Sequence, residues 1–342
     1  MKRIFASAAG ALALGMALPA VAQVAGVPLE MEPNTCDRAC LEGKVEAYLQ
    51  AMTDGVVRDD LFARNARFTE NGVEMPLGNE GMWATTVSPA GYRLIVPDVT
   101  TGQVAALVTV KEQASSSATG PAREPEPVGL SLRLRIGRDG RITEAEQIAA
   151  RPERPLGPGA AAPTGPFAAT GAAVEALGKP WDGYLRAVPQ AERHTRAELV
   201  EMANAYFEAV ERNTGKDYYP FTDDCLRIEN GMIIGGPPGT IGMRGQPVLG
   251  CREQLQTSLI GAVSSIRDRR VVAVDEERGL VFAFAFFDHR PINWTWQLGE
   301  LFKVEKGKFS RIEAIFIRGP YGMCSGWSTY EQCRSEEVQD VR

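Results

Sequence analysis

The sequence predicts an α+β protein in which one domain occurs twice, each copy with a long helix packed on a curved antiparallel sheet. The first observation is the segment 274–289, VDEERGLVFAFAFFDH, where an acidic turn leads into the apolar run 280–287. Its length and its Phe and Val residues are typical of a buried strand. A weaker counterpart, QVAALVTVKE, lies at 103–112. The predicted elements also follow the same order in 34–151 and in 193–334, which indicates two copies.

The length and charge of the chain limit its class. It has 342 residues, enough for two domains with ordinary hydrophobic cores. The formal net charge is −6 and no basic stripe is present, so we expect no nucleic-acid partner. Beyond the N terminus no apolar stretch is long enough to cross a bilayer, and we expect no membrane span.

Residues 1–22 have the pattern of a secretory signal peptide. Lys2 and Arg3 give a positive start, residues 4–18 form an apolar segment rich in small residues, and residues 20–22 (AVA) fit a cleavage site. A membrane anchor is the alternative, but the apolar segment is short and interrupted by glycine. We therefore expect export to the periplasm or the extracellular space.

Six cysteines in an exported chain indicate disulfide bonds. They fall as three pairs that are local in sequence: Cys36 with Cys40, Cys225 with Cys251, and Cys324 with Cys333. We favour the second and third pairings. The first stays open, because two cysteines four residues apart on a helix need distorted geometry to form a bond. With two histidines and no paired C-x-x-C, no metal site is predicted.

The first copy begins with a helix that Asp37 can cap. Its apolar positions repeat with the helical period and are Leu41, Val45, Tyr48, Leu49 and Met52. Asn71-Gly72, between two strand-like runs, predicts a tight hairpin. Four further strands are predicted at 92–96, 103–111, 128–136 and 142–149. In the third, leucines alternate with polar residues, which is typical of a strand with one buried and one wet face.

A linker is predicted at 152–192, which is rich in Pro, Gly and Ala. The later part of this segment carries apolar side chains that we expect to dock on a domain. They are Val174, Leu177, Trp181, Tyr184 and Leu185.

The second copy opens with a capping box, Thr195 to Glu198, before an amphipathic helix. Its first hairpin repeats the Glu-Asn-Gly of the first copy, at 229–231 against 70–72. We interpret this repeat as turn chemistry, because Asn-Gly suits the positive φ of a tight hairpin. The copy continues to residue 334, with a tail that the last cysteine pair would staple.

The last strand pair of each copy supports the alignment of the two. Residues 296–304 and 311–318 match the strand pair at the end of the first copy. This alignment places Glu313-Ala314 on Glu144-Ala145.

The phrases CDRACL, RFTENG, DEERGLVFAF and FFDH, with the element order and the leader, resemble secreted tandem members of the nuclear transport factor 2-like superfamily, near its SnoaL-like, polyketide-cyclase-type domains. The resemblance covers 36–151 and 194–318. It implies two cystatin-like cone domains, each with a ligand site in the mouth between helix and sheet. It also implies proton transfer by buried Asp, His or Tyr, usually without a cofactor. This fold hosts enzymes and plain binding modules, so the resemblance does not fix a reaction.

Asp288 and His289, at the end of the central strand, are the candidate catalytic residues. Burial raises the pKa of a carboxyl group and lowers that of histidine, which favours acid–base work near neutral pH. Adjacent strand residues point to opposite faces unless the strand bulges. The structural alternative is a strand end where the acid forms a salt bridge with Arg290 or a neighbouring arginine.

Aromatic side chains of the second copy are the candidate ligand-binding residues. They are Tyr218, Tyr219, Phe284, Trp294 and Trp296, and the two tryptophans share one face because they are two residues apart. The alternative is that they anchor the core or a loop. Residues 194–333 hold seventeen aromatics and residues 36–151 only five, so we expect the working pocket in the second copy.

Two functions from different classes follow. One is a cofactor-independent lyase, isomerase or hydratase that acts on a small apolar or aromatic molecule in the second copy. The other is a non-catalytic ligand-binding or interaction module of the envelope or secretome. A homodimer formed through sheet faces is a further expectation. The arginines Arg267, Arg269 and Arg270 are expected at a solvated strand edge, and a cluster that attracts a carboxylate is the alternative.

Overall fold

The computed structural model describes residues 36–113, 124–154, 164–242 and 245–342. The predicted signal peptide lies outside these residues. Residues 34–342 form one compact unit of mixed α+β structure with two large sheets, so the predicted fold class is confirmed at that level.

Five α-helices lie in the described part of the chain. They are α1 (Arg38–Asp54), α2 (Met82–Thr85), α3 (Thr170–Ala176), α4 (Arg196–Glu211) and α5 (Cys251–Gln256). The two long ones have the predicted starts: Asp37 caps α1 by accepting from the backbone N–H of Cys40, and Thr195 and Glu198 form a capping box on α4. The predicted apolar positions of α1 are all buried.

The first sheet has six strands in the order β2-β1-β6-β5-β4-β3. They are β1 (Phe62–Glu70), β2 (Val73–Glu74), β3 (Thr86–Asp98), β4 (Gln103–Glu112), β5 (Glu126–Ile136) and β6 (Ile142–Ala150). We call α1 to β6 the first half.

The second sheet has seven strands in the order β13-β9-β10-β11-β12-β7-β8. They are β7 (Phe221–Glu229), β8 (Met232–Gly235), β9 (Ser265–Asp275), β10 (Leu280–His289), β11 (Trp294–Glu305), β12 (Lys308–Pro320) and β13 (Gln339–Asp340). Apart from β13, this sheet repeats the strand order of the first. We call α4 to β12 the second half.

Each sheet contains parallel pairings, so the prediction of purely antiparallel sheets is wrong. β1 pairs parallel to β6, β7 pairs parallel to β12, and β13 pairs parallel to β9. Hairpin signals identify strands that are neighbours in sequence. Hairpin signals do not predict which strands pair when the two are far apart in sequence.

The two Asn-Gly turns have the predicted conformation. Asn71 and Gly72 have φ of 52° and 79°, and Asn230 and Gly231 have φ of 48° and 81°. Two successive positive φ values are those of the type I′ hairpin turn.

Backbone contacts of these turns correct the alignment of the two halves. The N–H of Asn71 donates to the carbonyl oxygen of Gln147, and that of Asn230 donates to the carbonyl oxygen of Ala314. Gln147 and Ala314 are therefore equivalent, and so are Glu146 and Glu313. The predicted match of Glu144-Ala145 to Glu313-Ala314 is wrong by two residues. A shift of two residues leaves every side chain on the same face of the sheet, so the alternation of apolar and polar residues cannot reveal it.

The sheets pack against each other through the faces that turn away from their helices. The shared cluster includes Leu94, Leu107, Phe282, Phe284 and Ile315, each at most 1% exposed. This face, predicted to be available to a second copy, is thus covered by the other sheet of the same chain. It also buries charge: Arg270 of β9 donates to both carboxylate oxygens of Glu146 of β6, at 2.8 and 2.7 Å.

The later part of the predicted linker packs into the same cluster, so the predicted docking is confirmed. Val174 and Tyr184 are each 1% exposed, and Leu177 and Trp181 pack partly buried beside them. Leu185 is the exception, with 60% of its surface exposed.

All three cysteine pairs form disulfides, with Cα atoms 5.2, 6.1 and 5.6 Å apart from first to last. The disulfide prediction is confirmed. Cys36 can bond Cys40 because it precedes the cap of α1 and so lies outside the helix.

The predicted solvated arginine edge is wrong. Arg267, Arg269 and Arg270 are at most 2% exposed. β13 covers the edge of β9, and each arginine meets a carboxylate. In the described ranges, no helix is long and apolar enough to cross a membrane, and no group of three or more His, Cys, Asp or Glu residues is arranged to hold a metal ion.

Candidate functional site

A cluster of polar side chains lies between helix α4 and the second sheet. Arg227 and Glu229 come from β7, and Glu300 comes from β11. Their strand neighbours on this face, such as Cys225, Leu298 and Phe302, belong to the core under α4. The residue Ala314 of β12 lies between the two acids, because it pairs with Glu300 on one side and with Glu229 on the other. The Cα atoms of Glu229 and Glu300 are therefore about 10 Å apart, and the methyl group of Ala314 lies between the two positions.

Arg227 holds Glu229 in place. Its Nη2 donates to Glu229 Oε1 at 3.0 Å, and its Nη1 donates to Gln254 Oε1. Gln254 belongs to α5 and donates in turn to the carbonyl oxygen of Ile234. The Nε of Arg227 is buried and has no hydrogen-bond partner among the described residues.

Glu300 is a buried acid. It is 3% exposed, and its Oε2 finds no hydrogen-bond partner in the described part of the chain. Burial raises the pKa of Glu300 to about 8; the Arg227 charge opposes this effect, Glu229 adds to it, and hydrogen bonding to Tyr206 opposes it. Glu300 is therefore largely protonated at neutral pH.

Glu229 differs from Glu300 in access to solvent. Its side chain keeps 22% of its surface accessible. Burial raises the pKa of Glu229, and the neighbouring Arg227 charge lowers it. The site thus has one neutral acid beside a second carboxyl group that is paired with a cation, and burial raises the pKa of both.

His289 and Trp296 lie at the other end of the same sheet face. Their ring centroids are 4.2 Å apart. Nδ1 of His289 lies 3.0 Å from the carbonyl oxygen of Ala262, and burial lowers the pKa of this histidine. A neutral ring that donates from Nδ1 presents Nε2 as an acceptor. His289 Nε2 and Trp296 Nε1 are both buried without a hydrogen-bond partner in the described ranges.

These two ends are separate. On the β10–β11 ladder, Glu300 pairs with Ala283 and His289 pairs with Trp294. Six residues of strand therefore separate His289 from the level of Glu300, which is about 20 Å. His289 does not share a hydrogen-bonded site with Glu300.

Asp288 faces the opposite side of β10 from His289. Arg267 donates to its carboxylate from Nε at 2.8 Å and from Nη2 at 3.1 Å, and Thr295 donates from Oγ1 at 2.6 Å. The two residues of the predicted pair are thus split between the two faces of the sheet. The carboxylate of Asp288 is fully engaged in a buried ion pair with a neighbouring arginine.

The other predicted ligand-binding residues lie apart from one another. Phe284 packs between the sheets beside Phe282. Tyr218 is 78% exposed, whereas Tyr219 is buried and donates to Asn213 Oδ1 at 2.6 Å. Trp294 is partly exposed, with the guanidinium of Arg318 3.9 Å from its ring centroid.

The equivalent place in the first half is a closed hydrogen-bonded network. Tyr48 donates to Gln147 Oε1 at 2.9 Å, and Gln147 donates to Glu70 Oε2 at 3.0 Å. Trp83 donates to Tyr48, and Arg151 donates to Glu70. The network leaves no unpaired carboxyl oxygen on Glu70.

Register explains this difference between the halves. Leu132 pairs with Gln147 as Glu300 pairs with Ala314. The second half therefore has Glu300 where the first has Leu132, and Ala314 where the first has Gln147. The amide that closes the network is absent, and an acid is present instead.

Sequence reasoning missed Glu300, Arg227 and Glu229. A signal for Glu300 was available. In 296–304, Trp296, Leu298, Phe302 and Val304 alternate as the apolar face, and Glu300 interrupts them. A charged residue at a position that should be buried is the cue for a functional residue.

A family model described as domain of unknown function (DUF8021) matches residues 192–316. This stretch contains Tyr206, Arg227, Glu229 and Glu300, and it is less than half of the chain. No match to the chain was found among curated proteins. The family similarity therefore coincides with the half that holds the unpaired acid, and it assigns no activity to it.

Proposed function

We propose that the second half is a cofactor-independent acid–base enzyme of the lyase, isomerase or hydratase class, with its site at Glu300, Glu229, Arg227 and Tyr206. The observation that carries the proposal is the buried Glu300 carboxyl group, protonated at neutral pH, with one oxygen that has no hydrogen-bond partner in the described part of the chain. A buried polar atom without a partner costs about 1–3 kcal/mol, so a substrate that completes the pairing is favoured.

The residues divide the work by their surroundings. Glu229, when ionised and paired with Arg227, accepts a proton from substrate carbon or from water, and Glu300 donates its proton to the atom where negative charge develops. Each turnover thus moves one proton onto Glu229 and one off Glu300, and exchange with solvent restores both. A buried neutral acid beside an ion-paired carboxylate provides one group to donate a proton and one to accept it. The Nε–H of Arg227 makes no hydrogen bond among the described residues, and it is proposed to stabilise an oxyanion.

The substrate is proposed to be small and largely apolar or aromatic. The core cluster under α4, to which this face of the sheet belongs, is apolar and includes Tyr206, Phe207, Leu298 and Phe302. An apolar pocket with a few convergent polar groups is the common form of a small-molecule site.

The finer fold assignment is also a proposal. We infer that 34–151 and 193–334 are cone domains of the nuclear transport factor 2-like type, the second with a tail stapled by Cys324–Cys333. The repeated strand order and a long helix on one face of each sheet support this. Export of the chain is proposed on its leader pattern, and the three disulfides agree with an oxidising compartment.

A non-catalytic binding module is the second candidate. His289 Nε2 and Trp296 Nε1 favour it, because they offer an acceptor and a donor beside aromatic rings at the end of the face remote from Glu300. A ligand held there alone would be bound and released unchanged.

The test is a thermal-shift screen of the oxidised protein against phenolics, terpenoids, polyketide-like lactones and sugars, with each stabilising compound then assayed for turnover. Glu300→Gln is the diagnostic variant. Glu313→Gln is its matched control, because Glu313 is equally buried and its pKa is raised to about 7, but it lies on the opposite face of the sheet.

Turnover that is lost in Glu300→Gln and kept in Glu313→Gln, with binding retained in both, supports the acid–base enzyme. Ligands that stabilise all three proteins and stay unchanged would replace it with the binding module. Binding lost only in a His289→Gln variant would assign the ligand to the aromatic end.

A further inference from the structure

A second polar cavity lies on the other side of the molecule, between the first sheet and the C-terminal tail. Its volume is about 260 Å³. It is lined by Arg133, Arg135, Arg270, Arg342 and the indole of Trp327, among others. The site proposed around Glu300 contains none of these residues.

The chain builds this cavity from distant segments. Arg133 and Arg135 alternate on β5 with leucines that face α1, so they point away from the helix. Trp327 is in the tail that the Cys324–Cys333 disulfide staples. Its Nε1 donates to Thr69 Oγ1 at 2.7 Å, and the guanidinium of Arg67 lies 4.0 Å from the centroid of its ring. The tail is thus held over the first sheet.

The four arginines of this cavity differ in whether their N–H donors have hydrogen-bond partners. Arg270 is satisfied by Glu146 and Asp268, and Arg342 by Asp340. Arg133 and Arg135 each keep one donor that makes no hydrogen bond among the described residues.

Arg133 is 2% exposed; its Nε donates to Gln103 and its Nη2 to Glu144. Its Nη1 has no hydrogen-bond partner among the described residues, and the nearest acid there is Glu146 at 3.8 Å. Arg135 donates from Nη2 to the backbone oxygen of Arg342. Its Nε makes no hydrogen bond among the described residues, and it lies 3.4 Å from Oε2 of Glu144. Both residues line the cavity, and both share Glu144 as their nearest carboxylate.

We propose that this cavity binds the carboxylate of a small organic acid, with Arg133 Nη1 and Arg135 Nε as donors and the Trp327 ring as the wall for its planar apolar part. The guanidinium group matches a carboxylate in geometry, and hydrogen bonds between charged groups are the strong ones. An aromatic wall adds affinity for a planar body. Glu144 and Asp340 also line the cavity, so a singly charged anion is favoured over a multiply charged one.

The size of the cavity agrees with a small ligand. Its volume is just below the roughly 300–1,000 Å³ that drug-sized ligands occupy.

In the experiment, the whole oxidised protein is titrated with benzoate, acetate or inorganic phosphate. Binding is measured by calorimetry and by tryptophan fluorescence. Trp327→Phe identifies the part of the signal that comes from Trp327, since the chain has five tryptophans. Arg135→Gln removes one donor from a side chain that is 27% exposed, so the fold should tolerate it. Arg141→Gln is the matched control, because Arg141 is an exposed arginine of the same sheet region that lies outside the cavity.

Benzoate is expected to bind in a saturable way and to quench Trp327, more tightly than acetate and more tightly than phosphate. Arg135→Gln should weaken binding at least about tenfold, as expected for the loss of a hydrogen bond to a charged group, and Arg141→Gln should not change it. No saturable binding of any of the three anions, or equal affinity in Arg135→Gln and the unaltered protein, would overturn the proposal. Tighter binding of phosphate than benzoate would overturn the choice of a carboxylate.

Discussion

Two single-residue differences distinguish the sheet face under α4 from the equivalent face under α1. One exchange, Glu300 for the equivalent Leu132, turns an apolar position into a buried acid. A second, Ala314 for Gln147, removes the amide that would have paired with it. The acid lowers stability near neutral pH, because the folded protein keeps a proton that the unfolded chain releases. A residue that costs stability and makes no structural bond with its free oxygen is best explained by a ligand.

The pH dependence of folding tests the state of Glu300. Burial raises its pKa from 4.5 to about 8. Between these values the folded protein keeps a proton that the unfolded chain has released, so the free energy of unfolding falls as the pH rises. One such group contributes a slope of up to about 1.4 kcal/mol per pH unit. Glu300→Gln cannot ionise, so its free energy of unfolding should fall less steeply from pH 5 to pH 8.

Urea unfolding at several pH values measures this slope. Glu305→Gln is the control, because Glu305 is on the same strand and partly exposed. Equal slopes in Glu300→Gln and the unaltered protein would mean that Glu300 is already ionised at neutral pH, and the proposed acid would lose its basis.

Asp288 and His289 should differ in their effect on stability. Asp288→Asn breaks a buried ion pair with Arg267, whose side chain is 3% exposed, and leaves the arginine without a charge partner. Loss of one member of such a pair costs about 3–5 kcal/mol. His289→Gln removes one hydrogen bond to a carbonyl oxygen and should cost about 1 kcal/mol. Chemical denaturation compares the two, and a small effect of Asp288→Asn would contradict the structural role of Asp288.

At the scale of elements, the sequence predicted correctly the helix caps and turns that neighbouring residues determine. It did not predict the pairing of strands that are distant in the chain. The helix caps at Asp37 and Thr195 and both Asn-Gly turns follow from a few neighbouring residues. The parallel pairing of β1 with β6 depends on the partner met after four intervening strands. The strand at 128–136 was expected to have one wet face, but the other sheet and the tail cover that face. Arg269 is buried for a similar reason, since acids of α4 reach it.

The turn after β7 offers an element-scale prediction. Gly231 has φ of +81°, and a Cβ there would overlap the backbone of Ala173 and Val174 in α3. Gly140 has a similar φ of +76° with nothing within 4 Å of such a Cβ. Alanine at either position costs about 1–2 kcal/mol for its left-handed backbone. Gly231→Ala should lose about 1–3 kcal/mol more, because α3 must move.

Thermal or urea unfolding of Gly231→Ala and Gly140→Ala gives the comparison directly. Similar losses in the two variants would show that α3 does not rest on this turn. The docking of the 164–192 segment would then depend on its apolar side chains and on polar contacts such as that of Tyr184 with Glu313.

The whole molecule is held together by the face that the two sheets share. Tyr92 of the first sheet donates to Glu313 Oε1 of the second at 2.5 Å, and Tyr184 of the connecting segment donates to Glu313 Oε2 at 3.3 Å. Arg196 of α4 reaches Asp98 of β3 at 2.6 Å, and Arg38 of α1 reaches Asp275 of β9. Each half thus supplies buried polar partners to the other.

We therefore expect the oxidised chain to unfold in a single cooperative transition, with no stable half. Separating the halves would expose Phe282, Phe284, Leu301 and Ile315, which are at most 1% exposed. Burial of four such side chains contributes about 1.5–3 kcal/mol each, which is comparable with the whole stability of a domain. Agreement of the calorimetric and van't Hoff enthalpies measures the cooperativity. A fragment of residues 193–342 should bind a dye for exposed apolar surface, and two resolved transitions in the full chain, or a soluble fragment that binds no dye, would contradict the prediction.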